Sequence, residues 1–285
     1  MINDNETNTV YFSVKLKEPK FTEFCNNLTT ILNEHRITHH FLGNTNDIWC
    51  RDYMPVQLRE DKFIEYRYNP DYLKTKTYAP TRTDPAVVCQ SIGLSPLKTD
   101  IVLDGGNVIR YGNKVIMTDK LFQENANYTK EQVLAKLKDL FEITNLIIIP
   151  WDRKYEKKYG HADGLVRFID ENTVLVNNWY GTKKPGKSEQ VFRDVLTLYG
   201  LSIKTLEFDV LKPDEDKNWG YLNYLQMKDL LLIPVFGIDE DNQAKEQFHQ
   251  LFPEYSSKGQ IETIDAKVIL EEEGVLNCIS WNVLS

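Results

Sequence analysis

The chain has 285 residues, of which 41% are hydrophobic and 27% are charged, and its formal net charge is −8 at pH 7. These values are typical of a soluble globular protein, and the acidic balance argues against a nucleic-acid-binding protein, which usually has a basic surface. Residues 1–8 lack the apolar core of a signal peptide, and the longest apolar runs, such as residues 230–236, are too short to span a bilayer.

The cysteines give an indication of the cellular compartment. Cys25, Cys50, Cys89 and Cys278 are widely separated and form no Cys-x-x-Cys pair. This pattern favours reduced thiols over a disulfide framework, so we expect a cytoplasmic protein. From the acidic charge and the short apolar runs we expect no nucleic-acid partner and no membrane partner. The sequence leaves the oligomeric state open, with a homo-oligomer as one alternative.

Helical and strand-like segments alternate along the chain. Five segments are predicted to be helical: residues 21–33, 84–91, 129–140, 188–198 and 242–251. Thr129 and Gln132 form a capping-box pattern at the start of the third segment, and Gly200 is a typical stop after the fourth. Each helix precedes a strand-like run, at residues 37–42, 101–103, 146–149, 203–208 and 261–264.

A polar motif follows each of these strand-like runs. In chain order the motifs are Trp49–Asp52, Asp104–Asn107, Gly160–Asp163, Tyr221–Asn223 and Cys278. Several are followed by a further strand-like segment, at residues 108–111, 165–169 and 230–234. Five units can deliver groups to one site only if they surround it. This fivefold repeat of helix, strand and polar motif therefore predicts an α/β fold, a closed five-bladed β/α propeller, as one domain over residues 1–285. The turn-rich stretches 69–85 and 181–186 are predicted to be surface loops.

Each motif also has an ordinary structural explanation. Trp49–Asp52 fits a half-buried Trp beside a surface Arg–Asp pair, and Asp104–Asn107 fits a hairpin turn. His161 and Asp163 share a face of an extended segment and fit a structural pair as well as a site. Cys278 lies in an apolar stretch, where an inert buried thiol is common, and Asn223 fits a residue that satisfies loop backbone groups.

Together the motifs supply a thiol, an imidazole and several carboxylates. That combination suits nucleophilic attack on a cationic carbon that is held by anions. The histidines His39, His40 and His161 do not have the spacing of familiar zinc sites, so no metal is expected.

The five motifs, in this order, resemble the guanidine-modifying enzymes of the pentein fold, in particular the branch of agmatine deiminases and bacterial peptidylarginine deiminases. The family's Trp-x-Arg-Asp, Glu-Gly-Gly-Asn, Gly-His-x-Asp and Tyr-x-Asn motifs, and its Asn/His-Cys pair near the C-terminus, match the five sites over nearly the whole chain. The resemblance implies a five-bladed β/α propeller with pseudo-fivefold symmetry.

The resemblance also implies a role for each matched residue. Cys278 would attack the guanidinium carbon, His161 would act as acid and base, and Asp104 would orient His161. Asp52 and Asp163 would hold the substrate nitrogens in charge-assisted hydrogen bonds. Trp49 and Asn223 would complete the substrate-binding site.

The expected activity is conversion of a small cationic guanidino compound to a ureido product and ammonia, with no metal or organic cofactor. Agmatine is the first candidate substrate, followed by arginine derivatives or peptidyl arginine. Two alternatives stay open: a pentein amidinotransferase, which passes the same covalent intermediate to an amine, and a non-catalytic pentein that binds a ligand or protein.

The chain departs from the family pattern in three places. Asp104 replaces the usual Glu, which shortens the reach to His161 by one methylene. Glu271–Glu273 stand where the family has glycines, so that only Gly274 remains, and the Pro-Ala-Glu-Trp segment typical of agmatine deiminases is missing. We expect Glu271–Glu273 to form a solvated loop at the pocket mouth, where a carboxylate would attract a cationic substrate.

Overall fold

The computed structural model of the chain describes residues 1–151, 153, 158–177, 187–214 and 216–285. These ranges contain fifteen strands that form five three-stranded sheets. The strands are β1 (Thr9–Ser13), β2 (Thr38–Leu42), β3 (Val56–Arg59), β4 (Lys62–Arg67), β5 (Leu97–Val102), β6 (Ile109–Tyr111), β7 (Lys114–Thr118), β8 (Asn145–Ile149), β9 (Val166–Asp170), β10 (Thr173–Asn177), β11 (Ser202–Leu206), β12 (Leu225–Met227), β13 (Leu230–Val235), β14 (Ile261–Asp265) and β15 (Ser280–Val283).

All five sheets share one topology. Their strand orders are β15-β1-β2, β3-β4-β5, β6-β7-β8, β9-β10-β11 and β12-β13-β14. In each sheet the central strand pairs antiparallel with the first strand and parallel with the third. Because the last strand, β15, pairs with β1, the first sheet joins the two ends of the chain and closes the ring. The predicted five-bladed β/α propeller is therefore confirmed.

Helices connect the parallel strands, since a parallel pair needs a long crossover. The described helices are α1 (Thr22–Glu34), α2 (Cys50–Tyr53), α3 (Pro85–Ser91), α4 (Lys120–Glu124), α5 (Lys130–Phe141), α6 (Lys187–Leu198), α7 (Asp241–Leu251), α8 (Pro253–Ser257), α9 (Lys267–Leu270) and α10 (Leu276–Ile279). The five predicted helices are confirmed as α1, α3, α5, α6 and α7, each within one residue at either end. The predicted strand 101–103 starts four residues earlier than expected, at Leu97, as part of β5.

Helix α5 shows how the local sequence determines one of these crossovers. Thr129 Oγ1 accepts a hydrogen bond from the Gln132 backbone N–H, and Gln132 Oε1 accepts one from the Thr129 N–H, so the predicted capping box is present. Val133, Leu137 and Phe141 recur every four residues and are all buried. This apolar stripe holds the helix against its sheet.

Short connectors run from the third strand of one sheet to the first strand of the next, and they carry the five motifs. The connector with Asp104–Asn107 links β5 and β6, which lie in different sheets, through a 3-10 turn at Gly105–Asn107. The hairpin-turn explanation of that motif is therefore wrong. Hydrogen bonds tie the connectors together, for example from the Asp163 backbone N–H to the Gly106 carbonyl at 3.1 Å.

A buried charge cluster lies close to the connectors. Asp4 Oδ2 accepts from Arg167 Nη2 at 3.0 Å and Asp4 Oδ1 from Arg110 Nη2 at 3.3 Å. Arg51, Arg110 and Arg167 line a small cavity of about 20 Å³. Arg51 is only 6% exposed, so it is not part of the surface Arg–Asp pair considered from the sequence.

Two further predictions concern the surface loops and the absence of a membrane-spanning segment. The stretch 69–85 contains short 3-10 turns at Asp71–Leu73 and Ala79–Thr81 and is largely exposed, although Leu73 is buried. The predicted loop 181–186 lies outside the described residues. Among the helices that the structure describes, none is long and apolar enough to cross a membrane.

Candidate active site

A cavity with a volume of about 590 Å³ opens among the connectors. Four of the seven predicted site residues line it: Trp49, Asp52, His161 and Cys278. The other three, Asp104, Asp163 and Asn223, lie directly behind this wall and contact it through hydrogen bonds. The structure therefore brings all seven residues together around one cavity.

Cys278 belongs to α10 and is 7% exposed. Its backbone N–H donates to Asn223 Oδ1 at 3.1 Å, and its Sγ donates to Asp163 Oδ2 at 3.4 Å. Burial raises the pKa of the thiol well above its usual value, and the nearby charges of Asp163 and Asp52 raise it further. Without a cation in the cavity, the thiol is therefore protonated at neutral pH.

His161 lies between two carboxylates. Its Nε2 is 3.1 Å from Asp104 Oδ2, and its Nδ1 is 3.7 Å from Asp52 Oδ1. Burial lowers the pKa of the imidazole, but Asp52, Asp104 and Asp163 together outweigh that effect and raise it to about 10. The ring is therefore an imidazolium at neutral pH, and both of its nitrogens can donate.

Asp104 reaches His161 in spite of its shorter side chain. Asp104 Oδ2 also accepts a hydrogen bond from the Tyr72 hydroxyl at 3.3 Å, and it lies 4.0 Å from Lys120 Nζ. The other carboxylate oxygen, Oδ1, is buried and has no hydrogen-bond partner. The substitution of Glu by Asp thus preserves the contact with the imidazole.

Asp52 is carried by α2 and is 6% exposed. Its Oδ1 accepts a hydrogen bond from the Gly106 N–H at 3.0 Å. Burial raises the pKa of Asp52 to about 7; Asp104 and Asp163 also raise it, whereas His161 opposes the shift. A Cβ atom at position 106 would lie 2.6 Å from His161 Nδ1 and 2.7 Å from Asp52 Oδ1. The motif therefore needs glycine at this position because the backbone approaches both side chains closely.

Asp163 is 3% exposed and lies beneath the thiol. Its Oδ2 accepts a hydrogen bond from Asn277 Nδ2 at 2.7 Å in addition to the one from Cys278. The segment that carries Asp163 and His161 is irregular rather than a strand, because β9 begins only at Val166. The two side chains reach the same site through this turn, not through the alternation of an extended segment.

Trp49 and Asn223 contribute in different ways. Trp49 is half-buried and lines the cavity, and its ring packs so closely on Gly274 that a Cβ atom there would clash with it. This contact explains why one glycine is kept before Cys278. Asn223 is fully buried and faces the Cys278 backbone rather than the cavity, so its position indicates support of the thiol rather than direct contact with a substrate.

Several cavity residues could not be identified by motif. They are Tyr68, Tyr72, Tyr78, Asp47, Lys158 and Tyr159. Three of the tyrosines lie in or next to the stretch that the sequence indicated only as turn-rich, and their frequency there was the one available signal.

Glu271, Glu272 and Glu273 all line the cavity and are exposed, as expected for a loop at its mouth. Glu272 forms an ion pair with Lys20, and Glu273 forms one with Lys158 at 3.0 Å. Within the described residues, the Glu271 carboxylate has no ion pair.

Comparison with known proteins agrees with this architecture. The model of the family described as Porphyromonas-type peptidyl-arginine deiminase matches residues 2–283. A protein named "Putative agmatine deiminase" from Mycoplasma mycoides subsp. mycoides is 25% identical over 275 residues, which cover 83% of this chain and 74% of that protein.

Solved structures show the same fold. An agmatine deiminase from C. jejuni has a TM-score of 0.79 at 18% identity and covers 100% of this chain and 95% of its own. A dimethylarginine dimethylaminohydrolase has a TM-score of 0.57 at 11% identity, covering 97% and 100%. The fold of this chain is therefore the pentein fold.

Proposed function

Because this chain belongs to the family of Porphyromonas-type peptidyl-arginine deiminases, we propose that it is a cofactor-independent hydrolase that converts a guanidino compound to a ureido product and ammonia through a covalent bond to Cys278. One observation carries the proposal. A thiol, an imidazolium and an aspartate line one cavity, and two further aspartates lie directly behind its wall.

The first step is capture of the substrate cation. Asp52 and Asp163 flank the thiol and can each accept hydrogen bonds from a planar guanidinium. Both are almost fully buried, so water screens their attraction for the cation only weakly. The bound cation also offsets the negative charges that raise the pKa of Cys278. It therefore promotes ionisation of the thiol, which releases its proton to solvent.

The thiolate then attacks the guanidinium carbon, forming a carbon–sulfur bond and a tetrahedral intermediate. His161 is protonated and donates its proton to the departing nitrogen, which leaves as ammonia. The imidazole, now neutral, accepts a proton from water, and the resulting hydroxide attacks the same carbon. Cleavage of the carbon–sulfur bond, with transfer of the hydroxyl proton to the departing sulfur, releases the ureido product and restores the thiol. Asp104 keeps His161 oriented throughout.

The rim of the cavity favours a substrate whose far end is also cationic. Among the residues that the structure describes, the rim carries five carboxylates, from Glu18, Asp47 and Glu271–Glu273, and two lysines, Lys15 and Lys158. Both lysines form ion pairs with rim glutamates, Lys15 with Glu18 and Lys158 with Glu273. Asp47 and Glu271 have no ion pair within the described part of the chain. An ammonium group is attracted to such a rim and a carboxylate is repelled, which places agmatine ahead of free arginine.

The test is turnover of a panel of guanidino compounds by the purified protein. Agmatine, arginine and an arginine-containing peptide are each incubated with the enzyme, and ammonia and the ureido product are measured. We expect both products from agmatine, none with Cys278→Ala, and normal turnover with Cys89→Ala, a control for a buried thiol outside the cavity.

Trapping of the intermediate completes the test. After brief exposure to a reactive amidine, mass spectrometry should find the adduct on Cys278. Absence of turnover across the panel, or an adduct on Cys25, Cys50 or Cys89 with Cys278 untouched, would contradict the proposal.

A further inference from the structure

Lys120 is a buried cation that has no part in the steps described so far. It opens α4 and is 3% exposed. Its Nζ lies 2.8 Å from Glu124 Oε1 and 3.2 Å from Asp71 Oδ1. It does not line the large cavity, and its ammonium lies 4.0 Å from Asp104.

The same ammonium faces the carboxylate that holds His161. Asp104 Oδ2 has three polar neighbours from three separate segments: His161 Nε2 at 3.1 Å, the Tyr72 hydroxyl at 3.3 Å and Lys120 Nζ at 4.0 Å. The distance to Lys120 is too long for a hydrogen bond, so Lys120 acts on Asp104 through its charge. Since Asp104 Oδ1 has no partner, this charge is one of few compensations for burying the carboxylate.

Neighbouring groups restrict the position of the Lys120 side chain. Its Nζ lies 4.8 Å from the centre of the Tyr72 ring, the same tyrosine that donates to Asp104. On the other side, a Cβ atom at Gly160 would lie 2.5 Å from Lys120 Cδ. Gly160, with φ at +66°, is the residue before His161, so the aliphatic part of Lys120 packs on the backbone that carries the imidazole.

We propose that Lys120 is a positioning residue for the Asp104–His161 pair. Its ammonium holds the Asp104 carboxylate turned toward His161, while its aliphatic part fixes the backbone at Gly160. This inference rests on the proposed deiminase function, in which His161 must deliver and accept a proton at a fixed point.

The test is Lys120→Met, which keeps the length of the side chain and removes its charge. We expect kcat for agmatine to fall on the order of 10- to 100-fold, the loss that a misplacement of about 1 Å can cause, and KM to stay unchanged.

Two variants separate this role from a merely structural one. Lys120→Arg keeps the cation and should restore most of the kcat that Lys120→Met loses. Glu124→Gln removes the nearest ion-pair partner of Lys120 but leaves the cation near Asp104, so it should keep a kcat close to that of the wild type. Thermal unfolding shows which variants fold, and if Lys120→Met does not, Lys120→Gln replaces it in the comparison with Lys120→Arg.

A crystal structure of the neutral variant gives an answer that does not depend on turnover. Separation of Asp104 Oδ2 from His161 Nε2 beyond hydrogen-bond distance would support the inference. A folded neutral variant that keeps the 3.1 Å contact and the wild-type kcat would overturn it. A wild-type enzyme that turns over no guanidino compound would instead contradict the proposed function, and the crystallographic comparison would still decide the role of Lys120.

Discussion

Replacement of Asp163 by Asn tests the charge at the base of the site without changing its shape. Asp163 accepts hydrogen bonds from Asn277 at 2.7 Å and from the Cys278 thiol at 3.4 Å, and an asparagine oxygen can accept the first of these equally well. The carboxylate is 3% exposed, so its loss leaves a bound guanidinium with an unmatched buried charge. Removing one partner of a buried pair costs about 3–5 kcal/mol. We therefore expect kcat/KM for agmatine to fall roughly 10²- to 10⁴-fold.

The same substitution should have the opposite effect on the free thiol. After burial, Asp163 is the largest cause of the raised pKa of Cys278. Loss of this negative charge lowers the pKa of Cys278 and increases the fraction of thiolate near neutral pH. Alkylation of Cys278 by iodoacetamide, followed by mass spectrometry in the absence of substrate, should therefore be faster in Asp163→Asn than in the wild type.

The control is Asp61→Asn, which removes the same charge from an exposed turn and should change neither measurement. A general loss of folding would lower turnover and expose all four cysteines to alkylation, whereas the proposed effect is confined to Cys278. If Asp163→Asn kept near-normal kcat/KM, or if its Cys278 reacted more slowly than in the wild type, the assignment of Asp163 as a guanidinium ligand beneath the thiol would be wrong.

Three further predictions follow from the charges of the molecule. We expect kcat/KM to fall as the pH drops below about 7, because the pKa of Asp52 is raised to about 7 and a neutral carboxyl no longer attracts the cation. A pH–rate profile measures this fall on the acid side, and the profile of Asp52→Asn should lack it. Replacing Glu271–Glu273 by Gln should raise KM for agmatine and leave kcat nearly unchanged, with a difference that shrinks at high salt; a KM shift independent of salt would contradict this explanation. Asp4→Asn should lower the free energy of unfolding by about 2 kcal/mol at neutral pH, because Arg110, Arg51 and Arg167 outweigh the effect of burial and hold the pKa of Asp4 at about 2. The Asp4 carboxylate stabilises the fold fully at pH values above 3.8, its pKa in the unfolded chain, and this contribution is lost as the pH falls through about 2. The free energies of unfolding of the wild type and Asp4→Asn, measured by chemical denaturation, should therefore converge in acid.

Local periodicity was enough to predict the repeating units of the fold. The helix α5 illustrates the reason, since its capping box and its apolar stripe are properties of neighbouring residues that need no knowledge of the rest of the chain. The position of each motif after the third strand of a sheet could likewise be predicted, because it follows directly from the order of segments along the chain. Closure of the ring could be inferred because five groups of complementary chemistry had to reach one place.

Strand pairing was harder to predict. The strands β6 and β12 have only three residues each, too few to show a period, and their antiparallel partners follow within a two-residue turn. The pairing of β1 with β15 joins residues more than 260 positions apart, and no local signal records it. The short strands β6 and β12 were therefore hard to recognise, and the pairing of β1 with β15 depended on tertiary structure.

Neighbouring residues in the motifs have separate environments that a sequence pattern does not show. Asp52 lines the large cavity while Arg51, the residue before it, lines the small cavity near Asp4; Cys278 and Asn277 divide in the same way. The Arg51 Nε donates to the Asn277 carbonyl at 3.3 Å and so links the two connectors behind the site. A motif that looks like one functional unit therefore contains one residue that lines the large cavity and one that lines the small cavity.

The Asp at position 104 shows how support from elsewhere in the fold can preserve a contact when a motif residue changes. From the sequence, loss of one methylene suggested a weaker link to His161, yet the carboxylate lies 3.1 Å from the ring. The groups that surround it, Tyr72 and Lys120, come from the turn-rich stretch and from the start of α4, and neither belongs to a recognised motif. The side chain of Asp has one rotatable bond fewer than that of Glu, so it can reach the ring from fewer backbone positions. The neighbouring groups must therefore place the carboxylate within hydrogen-bond distance of His161. The identity of the residue at 104 therefore has to be judged together with the lysine and tyrosine that hold it in place.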